Sequence, residues 1–402
     1  MSPCAAAATP SAPPPPLVLH DAGPRPPLRL AGGLVVAPGS PGPAGPDIAL
    51  RGDRLLPGLI NAHEHLHRNS LPRLQYRARH RNIADWIADI TPRRTTDPVL
   101  LADAARPREQ RLWHGAIKNL LSGVTTVAHH DPLDPALCAA DFPVRVLVHP
   151  AWRNALGLDG EEALRRSHRD TPSGVPWMVH AAEGIDAAAA AEFNTLERLG
   201  CITPNARLVH GVGLSAPQRD RLIARGAALI WCPGSNLHLF GRTAEVGVLL
   251  AHGRVALGSD SRASGRRDLL EELALARELQ GLSESEAQAL VTTRAAELLA
   301  LPDRGHLAAG ARADLLALPA GLPLSRAARA DLRLVMVGGE LLLADPDVAE
   351  AFGATAADLL PVRLDGRPKR LARRLVRRLR ALGVEEPGLE LTGSGLSGEA
   401  AA

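Results

Sequence analysis

Between residues 56 and 300 the chain alternates short apolar runs with longer amphipathic segments. The apolar runs are Leu59–His65, Val124–His130, Val144–His149, Trp177–Ala181, Arg207–Gly211, Ala228–Cys232 and Val255–Asp260. Short runs with few polar interruptions read as strands buried on both faces of a parallel sheet. Between several of them, Arg111–Leu121, Ala187–Leu199 and Pro217–Arg225 space their apolar residues as helices do. Strand–helix alternation sustained over about 250 residues predicts a (β/α)8 TIM-like barrel. Ala151–Leu158 is the candidate for the one strand that the pattern leaves indistinct.

The flanks follow other patterns. Strand-like runs occur at Leu28–Val36 and Ile48–Leu50, and again at Asp314–Leu318 and Leu334–Leu343, with Pro and Gly turns between them. They predict a small β-sandwich-like domain assembled from residues 17–55 and 301–349, on both sides of a 56–300 barrel. Residues 1–16 are rich in Ala and Pro, the composition of a disordered tail. In 350–402, basic residues crowd Arg363 to Arg380, while Leu371, Leu375, Leu379 and Leu382 lie three or four apart. That spacing predicts a basic helical extension docked by its apolar face.

The chain has 402 residues, 46% hydrophobic and 22% charged, which fits a globular protein and excludes bulk disorder. A net charge of +3 is too small a bias to imply nucleic acid. No apolar run is long enough to span a bilayer, so no membrane partner is expected. Cys4, Cys138, Cys201 and Cys232 contain no C-x-x-C pair, which removes a cysteine-type zinc site and fits a cytoplasmic protein.

The candidate chemistry sits where the predicted strands end. Leu59 to Ala62 lead into His63-Glu64-His65, and alternation puts His63 and His65 on one side with Glu64 on the other. Two imidazoles at the C-terminal mouth of a barrel can bind one metal. The same stretch reads H-E-x-x-H from His63 to His67, the zinc-protease pattern, but that pattern needs a helix and here a strand precedes it. Glu64 should therefore face away from the metal, and Glu64→Gln should keep most activity. Further on, strands end at His180, with Glu183 three residues later, at His210 and at Asp260. His129, His130 and Asp131 end the second strand.

These motifs resemble the amidohydrolase superfamily over about Leu28 to Asp345. The resemblance rests on Pro57-Gly58-Leu59-Ile60-Asn61-Ala62-His63-x-His65, Gly123-Val124-Thr125-Thr126, His180 with Glu183, His210, Cys232-Pro233-Gly234-Ser235-Asn236, Gly258-Ser259-Asp260 and Gly305-His306-Leu307. The branch is similar to the cytosine deaminase and triazine hydrolase-like group. The resemblance implies one divalent ion, zinc first with iron also suited, held by His63, His65, His180 and Asp260. It implies that Glu183 shuttles protons and that His210 contacts substrate or water. Asp260, close to the metal, can take the water proton. His67 and Trp152, which follow strand ends, are candidates to line the pocket, and Asn236 is a further substrate-binding candidate. The resemblance implies hydrolytic deamination or C–N cleavage of a small cyclic or heteroaromatic molecule. The alternatives are a linear amide, a non-nitrogen leaving group, or a non-catalytic scaffold. A homodimer is compatible with the resemblance. Binuclear relatives carry a bridging lysine. The two lysines here, Lys118 on a predicted helix and Lys369 in the tail, are not placed for that role.

Overall fold

A computed structural model describes residues 14–23, 25–40, 45–148 and 151–392. The predicted disordered tail falls mostly outside the described residues. Eight strands form the central unit: β1 (Leu59–Glu64), β2 (Val124–His129), β3 (Arg145–Val146), β4 (Ala151–Ala155), β5 (Trp177–Ala181), β6 (Ala206–His210), β7 (Ala228–Trp231) and β8 (Val255–Leu257). They make two parallel sheets, one ordered β8-β7-β6-β5-β4 and the other β1-β2-β3. The sheets meet through a parallel bridge between Glu64 and Asp260, where the Ser259 and Asp260 N–H groups both donate to His63 O at 3.1 Å. A side chain at Gly258 would lie 2.7 Å from His63 Cβ, so glycine is what lets β8 end against β1.

The strands β1, β2, β5, β6, β7 and β8 are buried along their whole length, as their continuous apolar runs require. β4 differs. It reads Ala-Trp-Arg-Asn-Ala and is half-buried over most of its length. Its polar centre hides it from a hydrophobic pattern, yet it pairs in parallel with β5. The predicted strand at Val144–His149 shrinks to two residues.

Helices return the chain between strands: α1 (Arg108–Leu121), α2 (Ala187–Arg198) and α3 (Ala216–Ala224). Asp186 caps α2 by accepting the Ala189 N–H at 2.9 Å, and Ser215 with Gln218 forms a capping box on α3.

Two further sheets lie outside the central unit, and the second combines segments from both ends of the chain. Leu17–His20, Leu28–Ala31, Leu34–Val36 and Asp47–Ala49 make a four-stranded sheet. Asp53–Pro57 joins Leu315–Pro319, Leu334–Val337 and Glu340–Ala344 in a seven-stranded sheet. The last segments of that sheet correct an expectation. Residues 359–372 are not part of a long basic helix but a hairpin, Leu359–Leu364 with Arg367–Ala372, and Leu389–Glu390 adds an edge. Asp365 at φ 47° and Gly366 at φ 80° make its turn, the positive-φ pair that two-residue hairpins require. The arginines sit among period-two strand positions, and the charge run masked that alternation. Among the described residues after 358, α4 (Arg373–Leu382) is the helix, docked through Leu375, Val376 and Leu379.

Candidate metal centre

The strand ends converge on His63, which is fully buried. Its Nε2 lies 3.3 Å from His180 Nε2 and 3.9 Å from Asp260 Oδ1, and His65 Nε2 lies 3.6 Å from the same oxygen. Tetrahedral ligands at about 2.0–2.1 Å from an ion are separated by roughly 3.4 Å. Two overlapping groups lie at ligand spacing, His63 with His65 and Asp260, and His63 with His130 and His180.

Proton placement supports the same reading. His180 Nδ1 faces Asn154 O at 2.9 Å, so Nδ1 donates and Nε2 carries a lone pair. Burial, then the neighbouring imidazoles, push His63 and His180 well below the usual histidine range. The two rings face each other through Nε2 at 3.3 Å, the spacing of two ligands on one ion, and the buried His63 Nδ1 has no hydrogen-bond partner among the described residues. His65 Nδ1 meets Asp131 Oδ2 at 2.5 Å, the carboxylate–histidine pairing that orients metal-binding imidazoles. Asp260 Oδ2 accepts from Ser235 Oγ at 2.7 Å and Ser264 Oγ at 2.9 Å. Burial alone would raise the Asp260 carboxyl, but His65, His210 and the two hydroxyls outweigh it and hold it low.

His130 is a further imidazole at the centre. Its Nε2 donates to Arg153 O at 2.7 Å, its buried Nδ1 has no hydrogen-bond partner among the described residues, and it groups with His63 and His180 at ligand spacing. Burial drives it to about 3. Trp152 on β4 lies against it, ring centroids 5.3 Å apart, and so walls the site from the β4 side.

Glu183 and His210 form the other half. Glu183 is 3% exposed, and burial, with Asp260 and Glu192 nearby, raises its carboxyl well above the usual range. Its Oε1 is 3.4 Å from His210 Nε2. His210 Nδ1 meets Asn236 Oδ1 at 2.9 Å, so Nε2 is left facing the acid. Asn236 is fully buried and reaches the centre only through His210. Ala182, His210 and Asp260 all have φ between 50° and 75°. Left-handed backbone in such residues costs of order 1–3 kcal/mol each and is concentrated at functional sites.

His67 lies apart from His63, on a 3-10 turn, with His129 and Asp131. His129 Nδ1 accepts the Leu66 N–H at 3.3 Å, so its proton is on Nε2, and Arg68 stands 3.8 Å from Asp131. Neither feature favours a cation there. Burial lowers His67 to about 3 and His129 to about 4.

Glu64 faces away from His63, into a pocket with no solvent exposure. Lys118 Nζ approaches it at 2.8 Å, Ser259 Oγ at 2.9 Å, and Asn69 and Asn119 amides at 3.1 Å. Sequence reasoning missed this network because Lys118 and Asn119 are distant in the chain and sit on α1. The protease pattern fails here, since no helix brings His63 and His67 together.

Residues 171–343 match a family profile described as Amidohydrolase family. A 5-methylthioadenosine/S-adenosylhomocysteine deaminase of Haloquadratum walsbyi is 33% identical over 116 residues, 28% of this chain and 23% of that protein. An aminodeoxyfutalosine deaminase of Deinococcus radiodurans is 38% identical over 86 residues, 21% of each. These matches span less than a quarter of the relatives' length. Among solved structures, an adenosine deaminase from Xanthomonas campestris with bound zinc aligns with a TM-score of 0.66 at 19% identity, covering 92% of this chain and all of that one. An atrazine chlorohydrolase from Arthrobacter aurescens complexed with zinc aligns at 0.62 and 20% identity, covering 86% and 98%. Those structures share the fold. Over residues 171–343, less than half of its length, the chain is similar to the amidohydrolase family.

Proposed function

We propose that this chain is a metal-dependent hydrolase that breaks a C–N bond in a small planar, nitrogen-rich substrate, in the manner of the cytosine deaminase and triazine hydrolase-like group. The observation that carries the reading is the pair of ligand-spaced groups that share His63, one with His65 and Asp260 and one with His130 and His180, beside a buried acid whose carboxyl is raised well above the usual range. The proposal takes the eight strands as a closed barrel and the two outer sheets as one composite domain with a sandwich-like packing.

His63, His65, His180 and Asp260 would hold one divalent ion, zinc by the imidazole-rich donor set and by the zinc in the structural neighbours. When bound, such an ion supplies activated water at neutral pH and polarises the carbon under attack. The chain's own groups do the rest. Asp260 Oδ1 faces the ligand imidazoles and accepts the proton of the attacking water, while Ser235 and Ser264 hold its other oxygen. The bond from water oxygen to carbon forms as the C–N bond weakens. Glu183 delivers its proton to the departing nitrogen, which leaves as ammonia or an amine. His210, fixed by Asn236, steadies Glu183 and the substrate atom on which charge collects. Trp152 and His130 offer flat surfaces to a heteroaromatic ring.

The test is elemental analysis of purified protein, followed by ammonia release from a panel of nitrogen heterocycles. About one ion per chain and ammonia from at least one heterocycle are expected. No stoichiometric ion would overturn the metal reading. Turnover confined to halogenated rings would replace C–N cleavage with displacement of a non-nitrogen leaving group, which does not need the acid at Glu183.

A further inference from the structure

The stretch after α4 crosses the molecule's surface, yet it drives one carboxylate inward. Within 383–391 only Val384 and Glu386 are buried. Glu386 has a fully enclosed side chain and takes both oxygens to the Arg262 guanidinium, at 2.6 and 2.8 Å. The same carboxylate meets Arg329 at 2.5 Å and His114 of α1 at 3.1 Å. Three cationic or ionisable groups from distant parts of the chain thus close on one acid from the C-terminal strap.

Arg262 lies two residues beyond Asp260. Its backbone N–H donates to Asn69 Oδ1 at 3.1 Å, and Asn69 donates in turn to His65 O and to Glu64 Oε1, each at 3.1 Å. Its side chain also holds Arg267 O at 3.1 Å, closing the loop in which Ser264 supports Asp260 Oδ2. A continuous path of charged and hydrogen-bonded groups therefore runs from Glu386 to two of the residues at the centre. We propose that the C-terminal strap is part of the metal-site scaffold, with Glu386 a positioning residue that holds the Asp260 loop in its binding geometry through Arg262.

The proposal rests on the metal reading given above, and its test separates the two. Backbone hydrogen exchange is compared in the full chain with and without zinc. If strap and site are coupled, zinc slows exchange in residues 259–265 and also in 383–390, because coupling between sites is reciprocal. Arg262→Met should abolish the response of 383–390. It should weaken zinc about tenfold in competition with a chelator, the lower end for losing a group that supports metal ligands. It should also shift the visible bands of the cobalt-loaded protein. Leu343→Ala, in the seven-stranded sheet, supplies a loss of thermal stability far from the site and should leave zinc affinity and the cobalt bands unchanged.

Protection of 259–265 without any change in 383–390 in the unmodified chain would overturn the strap's role and leave the metal reading standing. Equal effects of Leu343→Ala on zinc and cobalt would overturn it too. Zinc that neither binds nor protects 259–265 would overturn both. The unmodified chain decides the matter even where Arg262→Met does not accumulate.

Discussion

At the scale of single residues, Glu64 and Glu183 show how environment sets the role of a carboxylate. Glu64 shares an unexposed pocket with Lys118, and amides and a hydroxyl bond to the Glu64 carboxylate. Removing one partner of such a pair leaves a buried charge and costs about 3–5 kcal/mol. Lys118→Met and Glu64→Gln should each lower thermal stability sharply, and the double variant should recover part of the loss. Melting temperatures within a degree of the parent would refute this. Strand alternation alone predicts that Glu64→Gln is mild, because it registers direction and not what waits on the far face. Glu183 faces His210 at 3.4 Å, and burial, with Asp260 and Glu192 nearby, raises its carboxyl well above the usual range. Glu183→Gln should retain its metal by elemental analysis yet lose about 10²-fold or more in kcat, the usual scale for a general acid–base group. Near-normal turnover would remove Glu183 from the reaction.

At the scale of elements, the strands whose cores are continuously apolar were legible, and so was the order of their polar ends. His63, His65, His180, His210 and Asp260 each follow an apolar run, so one pattern marks both the strand and its mouth-facing residue. β4 was hard to see because Arg153 and Asn154 interrupt its apolar run while their backbone carbonyls meet the site histidines, and the tail hairpin because arginines break its alternation. What no local pattern carries is the pairing between strand ends. Asp131 at the end of β2 orients His65 at the end of β1, across a separation of 66 residues. Asp131→Asn should keep the fold, by an unchanged melting temperature without metal, and weaken zinc about 10–100-fold in chelator competition. Unchanged zinc affinity would show that the His65 ring is fixed by packing alone.

At the scale of the whole molecule, the centre is a concentration of neutral histidines that the fold forces to stay neutral. His67 is lowered to about 3, His129 to about 4 and His130 to about 3, with His63 and His180 also well below the usual value, in each case chiefly by burial. In the unfolded chain each takes up a proton near pH 6.5. The unfolded state then binds more protons than the native state, so stability rises with pH. The contribution is fully present above about pH 6.5 and is lost as pH falls from there toward the native-state values. Each such histidine adds up to about 1.4 kcal/mol per pH unit within that window. The metal-free protein should therefore melt at a markedly lower temperature at pH 5.5 than at pH 7.5. Zinc at a hundred times its dissociation constant should add about 2.7 kcal/mol at pH 7.5. That gain should shrink at pH 5.5, because protons compete for the same ring nitrogens. Differential scanning fluorimetry with and without zinc at the two pH values reads all four states. A metal-free protein equally stable at both would mean that these imidazoles are hydrated rather than enclosed, and the ligand geometry described for His63 and His180 would not hold in solution.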